Sequence, residues 1–90
     1  MNDIIIIREF IHGDVVVAAD YKSAIHYLIK ERWIGEYTEV YDDNNSRLIP
    51  ISEAFGKDWR TVLLNANKDW FNDKFVDQFG LRQVEIYKHE

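Results

Sequence analysis

Cysteine is absent from the 90-residue chain, which excludes disulfides and thiolate-held zinc or iron–sulfur centres and leaves the fold to its core alone. Proline occurs once and glycine four times, too rarely for a collagen-like repeat or a flexible linker. No apolar run approaches the roughly 18 residues of a membrane-spanning helix. The opening MNDIIIIREF sets an acidic residue before four isoleucines and lacks the basic stretch and small-residue cleavage site of a secretory signal. The expectation is a cytoplasmic protein without membrane contact. Bases are in the minority, 11 against 16 acids, for a net charge of −5. The imbalance is local: residues 1–45 carry four bases and nine acids, residues 46–90 seven of each. Glu36, Glu39, Asp42 and Asp43 stand together with no base among them. Such a field repels a phosphate backbone, so direct nucleic-acid binding is not expected. It suits a basic protein partner, or serves only to keep the domain soluble.

What the chain has in quantity is apolar and aromatic surface: 47% hydrophobic residues, with three Trp, five Tyr and five Phe. Ile4–Ile11 reads as a strand whose isoleucines suggest a central position covered on both faces. His12–Gly13–Asp14 turns the chain, with Gly13 at a left-handed position, into a second strand from Val15 to Ala19. Asp20 fits the N-cap of a helix over Tyr21–Trp33. In that helix Ala24, Ile25, Leu28, Ile29 and Trp33 form one apolar stripe, and Gly35 is the expected C-terminal cap. Glu36–Tyr41 and Arg47–Ile51 form a second hairpin around the turn Asp42–Ser46, with Pro50 placing its second strand at an edge.

Ser52 is expected to cap a short helical piece, followed by a helix near 57–65 carrying Trp59, Val62 and Leu63. Asn67 caps a third helix from Lys68, in which Phe71, Phe75 and Phe79 lie four apart and Gly80 closes the run. Leu81–Lys88 alternates as a last strand. The element order is therefore β-β-α-β-β-α-α-β. It implies one α+β domain over residues 1–90, with about four or five strands in a small antiparallel or mixed sheet and helices mainly on one face. Residues 36–51 belong to that sheet or protrude from it as an acidic hairpin.

Candidate chemistry is thin. His12, His26 and His89 share no metal-binding spacing. The Asp/Asn turn at 42–46 lacks the alternating ligands, central glycine and terminal glutamate of a calcium loop, and turn chemistry explains it. Asp69 and Asp73 suit a helix N-terminus, with Asp77 continuing the row. No nucleophile elbow, phosphate loop or dinucleotide fingerprint is present. No catalytic, cofactor-binding or metal-ligating residue is assigned, and no cofactor is expected. His12 is the one histidine that a loop could hold over a site.

The aromatics point elsewhere. Tyr27 lies off the apolar stripe of the first helix, and Tyr37 and Tyr41 alternate with Thr38 and Val40. If the tyrosines face outward, they form a surface with the neighbouring carboxylates. The expected contact set is Tyr27, Glu36, Tyr37, Glu39, Tyr41, Asp42 and Asp43, and the expected function is non-enzymatic protein binding. In size and texture the chain resembles many small bacterial and phage proteins, a likeness that carries over no functional residue; the charge asymmetry and the placement of the tyrosines are what point to a regulator or inhibitor of a larger protein. The alternatives are a homodimeric structural domain, an acidic mimic of nucleic acid that occupies a DNA-binding protein, and a small enzyme built on His12 and an acid.

Overall fold

In the computed structural model, which describes residues 3–86, the chain forms an α+β domain whose strands divide between two antiparallel sheets. β1 (Asp3–Glu9) is the centre of a three-stranded sheet, flanked by β2 (Val15–Ala18) and β5 (Phe79–Glu85). The isoleucine-rich segment is thus the central strand, as its composition suggests. Ile7 pairs with Val16 on one side and Leu81 on the other. Alternation sends Ile5, Ile7 and Leu81 into the core, and Ile4, Ile6, Arg8, Val15, Val17, Arg82 and Val84 to the opposite side.

That opposite side is open. The expectation of a strand covered on both faces fails there, because the connections bring the helices back to the same side of the sheet. β1 and β2 are joined by the loop 10–14, in which Gly13 has φ +77°, the left-handed turn position expected of it.

α1 (Tyr21–Lys30) begins where Asp20 accepts the Ser23 N–H at 2.7 Å and buries Ala24, Ile25 and Leu28. It ends earlier than the apolar period implies, and Gly35 is not its cap. Arg32 takes the left-handed position with φ 60°. The Arg32 N–H donates to the Ile29 carbonyl at 3.1 Å and the Trp33 N–H to the Leu28 carbonyl at 2.9 Å, the paired closure of a helix C-terminus that glycine usually serves. Trp33 and Ile34 then fold back, and Ile34 is fully buried.

The second hairpin, β3 (Glu39–Asp42) with β4 (Arg47–Pro50), forms its own two-stranded sheet. Its first strand is shorter than the Glu36–Tyr41 expected, because Glu36 and Tyr37 lie in a turn. The Thr38 N–H donates to the Gly35 carbonyl at 3.0 Å, and the Gly35 N–H to the Thr38 hydroxyl at 2.9 Å. This turn has a purpose for the next helix. The first amides of α2 (Ile51–Phe55) donate to it, Ile51 N–H to the Thr38 carbonyl at 2.7 Å and Ser52 N–H to that of Glu36 at 3.1 Å. Backbone carbonyls therefore satisfy the helix start, and Ser52 sits inside the helix rather than capping it.

A 3₁₀ turn at Gly56–Asp58 leads into α3 (Trp59–Asn65), which buries Trp59 and Leu63. Asn67 then caps α4 (Lys68–Lys74), accepting the Trp70 N–H at 2.9 Å. α4 stops short of the expected Gly80, and Phe79 and Gly80 belong to β5. Pairing of Phe79 with Glu9 in the sheet overrides the helical period. The three phenylalanines still meet, with ring centroids 4.4 Å apart for Phe71–Phe75 and 6.1 Å for Phe75–Phe79. The core draws on β1, α1, β3, α2, α3, α4 and β5, with Phe71, Phe75, Ile25, Leu28 and Leu63 wholly enclosed. Each such side chain contributes roughly 1.5–3 kcal/mol by leaving water. The outermost residues of the expected last strand, Tyr87 and Lys88, lie outside the described residues.

Candidate interaction surface

The seven residues of the expected contact set fall in separate places. Tyr27 is half-buried and meets the Trp33 ring edge-on at 5.5 Å. Tyr41, Asp42 and Asp43 border a hollow of about 430 Å³ beside Lys74. Glu36 and Tyr37 border another of about 810 Å³, together with Arg32 and Arg60. The carboxylates near the hairpin are partly occupied. Asp42 accepts from the Asn44 N–H at 3.1 Å and the Asn45 side-chain amide at 2.7 Å. Those bonds, the Asn45 side chain first, hold its carboxyl below the ordinary value against a smaller effect of burial. Asp43 lies 3.1 Å from the Lys74 ammonium, which also donates to the Tyr41 carbonyl at 3.2 Å. Glu39 is exposed, and its carbonyl accepts from the Gln78 side chain at 2.6 Å. Among the described residues Tyr37 is the most open aromatic, 77% exposed.

His12 does border a hollow, of about 280 Å³, with Glu9 and Trp33. Its Nδ1 lies 2.8 Å from Glu9 Oε2. Glu9 is the one buried charged residue described, and its carboxylate also accepts the N–H groups of Ile11 and His12. Burial pushes the carboxyl up, but the His12 and Ile11 contacts outweigh it and hold the carboxyl below its ordinary value. The arrangement closes the loop between β1 and β2. No serine, threonine or cysteine lines that hollow, so it offers no hydroxyl or thiol for nucleophilic catalysis.

The open face of the three-stranded sheet was not among the expected surfaces. Val15 is 57% and Val17 59% exposed, and neither packs on the core. Ile6 lies between Val17 and Arg82, and Ile4 beside Val84. Half-exposed Phe10 extends the strip by lying over Gly80; a Cβ placed there would meet its Cζ at 2.8 Å. The sheet has two edge strands, β5 and β2. Asn72 clamps the free edge of β5, its side-chain oxygen accepting the Leu81 N–H at 2.7 Å and its amide donating to the Leu81 carbonyl at 2.9 Å. β2 is the other edge, and is only four residues long. The sequence carries only a partial trace of it in Val15-Val16-Val17, where strand alternation must turn Val15 and Val17 to the face opposite Val16.

Among the described residues no helix is long and apolar enough to cross a membrane. Comparison of the chain with protein-family models, with curated proteins and with solved structures gives no match.

Proposed function

We propose that this domain is a non-enzymatic protein-binding module, a small regulator or inhibitor that acts by covering part of a larger protein. The observation that carries the reading is the open apolar face of the β2–β1–β5 sheet. A domain of this size leaves a continuous strip of isoleucine, valine and phenylalanine in water only at a cost, and such strips mark interaction surfaces. The exposed Tyr37, between Glu36 and Glu39, favours a second contact region on the acidic side.

The test is capture from a lysate of the protein's own source, with the native mass of each complex measured. Wild-type protein is expected to hold a stoichiometric partner, and Val15→Lys/Val17→Lys to lose it while keeping its fold by circular dichroism. Glu36→Lys/Glu39→Lys weighs the acidic side in the same assay. A bare monomer for wild-type protein defeats the reading. A homodimer and nothing else transfers the open face to self-association.

A further inference from the structure

We infer that the open face of the β2–β1–β5 sheet is the seat of a single acidic, amphipathic helix supplied by a partner protein. The inference rests on the protein-binding reading above and deepens it by assigning the chemistry of the occupant. Three observations carry it: the dimensions of the face, its charge, and the state of its edges.

Strands lie about 4.8 Å apart, so three of them present a strip roughly 10–14 Å wide. An α-helix with its side chains is about 10–12 Å across. β1 has seven residues, a length of about 23 Å at roughly 3.3 Å per residue, which about 15 residues of helix match. One helix therefore covers the strip, and completes a layer opposite the one that α1 and α4 already provide. The apolar line from Val84 and Ile4 through Ile6 and Val17 to Phe10 is the seam for a stripe at helical spacing.

The charge on this face is opposite to that of the chain. Its strand residues include Arg8 and Arg82 and no carboxylate, although the chain has 16 acids to 11 bases. Asp3, Glu9 and Glu85 alternate to the other side. A second copy stacked face to face brings two more guanidinium groups and still no carboxylate. Whatever the two-fold axis, like charges are then confined in a drying interface with nothing to pair them. A helix with glutamates or aspartates beside its apolar stripe gives each arginine a carboxylate partner. The edges favour the face over strand addition. Asn72 occupies the Leu81 N–H and carbonyl that an added strand at β5 needs, and the β2 edge offers four residues.

The experiment places the photo-crosslinking residue p-benzoylphenylalanine at Val17, and separately at Tyr37, in the full chain. Each protein is irradiated in a lysate of its own source, and the crosslinked segment is mapped by mass spectrometry. The expected adduct from Val17 lies in a partner segment with apolar residues at three- and four-residue spacing and acids flanking them. Its yield is expected to fall at least tenfold when Arg8→Glu and Arg82→Glu are introduced together, since each reversal removes one charge pair. Lys57→Glu, in the exposed turn Gly56–Asp58 and off both surfaces, is expected to leave it unchanged, and Arg82→Gln to lower it partially, with all variants checked for fold by circular dichroism. An adduct with a second copy, an adduct with a basic or extended segment, or a yield indifferent to both arginine variants overturns the inference. An adduct from Tyr37 with none from Val17 overturns it while protein binding stands. No adduct from either position removes both.

Discussion

The molecule contains two hairpins of opposite construction. β1–β2 is built from isoleucine and valine, belongs to a three-stranded sheet and places Ile5 and Ile7 in the core. β3–β4 contributes one fully buried strand residue, Val40, with Ile49 partly buried against the core, and is further held by polar contacts from α4 and its following turn. Lys74 reaches the Tyr41 carbonyl and Asp43, and Gln78 reaches the Glu39 carbonyl. The first hairpin is therefore scaffold, secured by burial, and the second is attached to that scaffold by individual bonds. Segments with few buried apolar contacts open locally at lower free energy than the core. The second hairpin should be the first part of this domain to open.

The largest effect expected is on the scaffold side. Ile7→Ala deletes a wholly buried side chain at the centre of the sheet and should cost about 2–5 kcal/mol in chemical denaturation. Val17→Thr, on the adjacent strand but the open face, should stay within about 0.5 kcal/mol. Equal losses at the two positions would mean that the open face is covered in solution by the protein itself. Next comes Asn72→Ala, which strips both bonds from the Leu81 backbone. A cost of about 1–3 kcal/mol is expected for leaving those groups unmet. Asn72→Asp, which keeps only the acceptor, should recover part of it.

How much of this was legible is itself unequal between the two hairpins. The central isoleucine strand, the Gly13 turn, the Asp20 and Asn67 caps and the Asp/Asn turn follow from local chemistry, and the structure has them all. The misreadings arise where a distant part of the chain decides. Helix α4 stops because Phe79 pairs with Glu9 across 70 residues. Ser52 does not cap because the carbonyls of Glu36 and Thr38 already satisfy the helix start. Arg32 ends α1 in a conformation better suited to glycine. The candidate site was the least legible. Period-two alternation grouped Tyr37 with Tyr41, but Tyr37 lies in a turn, and its distance from the strand is set by the same carbonyl contacts. The open face could not be read from one strand alone, since it exists only once β2, β1 and β5 are in register.

A smaller effect separates the hairpins kinetically. Lys74→Met keeps the aliphatic stem and removes the ammonium that holds Tyr41 and Asp43. A charged hydrogen bond of this kind contributes about 1.5 kcal/mol, or roughly tenfold in a local opening equilibrium. Hydrogen exchange should therefore quicken about tenfold at the β3–β4 amides and barely change in β1. Uniform acceleration in both hairpins would show that they open together and that the polar attachment is not what distinguishes them.

The smallest expected effect compares the turns that the two hairpins carry. Each is closed by the carboxylate that ends its first strand: Glu9 accepts from Ile11 and His12, Asp42 from Asn44 and Asn45. Both carboxyls are held below their ordinary values, 4.5 for Glu9 and 3.8 for Asp42. A carboxyl with a depressed folded value binds its proton more readily when unfolded. Its contribution to stability is thus complete above the unfolded value and lost as pH falls through the folded one. The amide shifts of His12 and Asn44, followed by NMR in acid, should titrate with midpoints below 4.5 and 3.8 respectively. Glu9→Gln and Asp42→Asn should abolish their own transition and leave the other in place. Because Glu9 is buried at the end of the central strand and Asp42 lies at a hairpin tip, loss of the first should also disturb β1 and β2. Loss of the second should stay within residues 42–47. If protonating Asp42 disturbs the three-stranded sheet as well, the second hairpin is not an attachment to the scaffold but a working part of it.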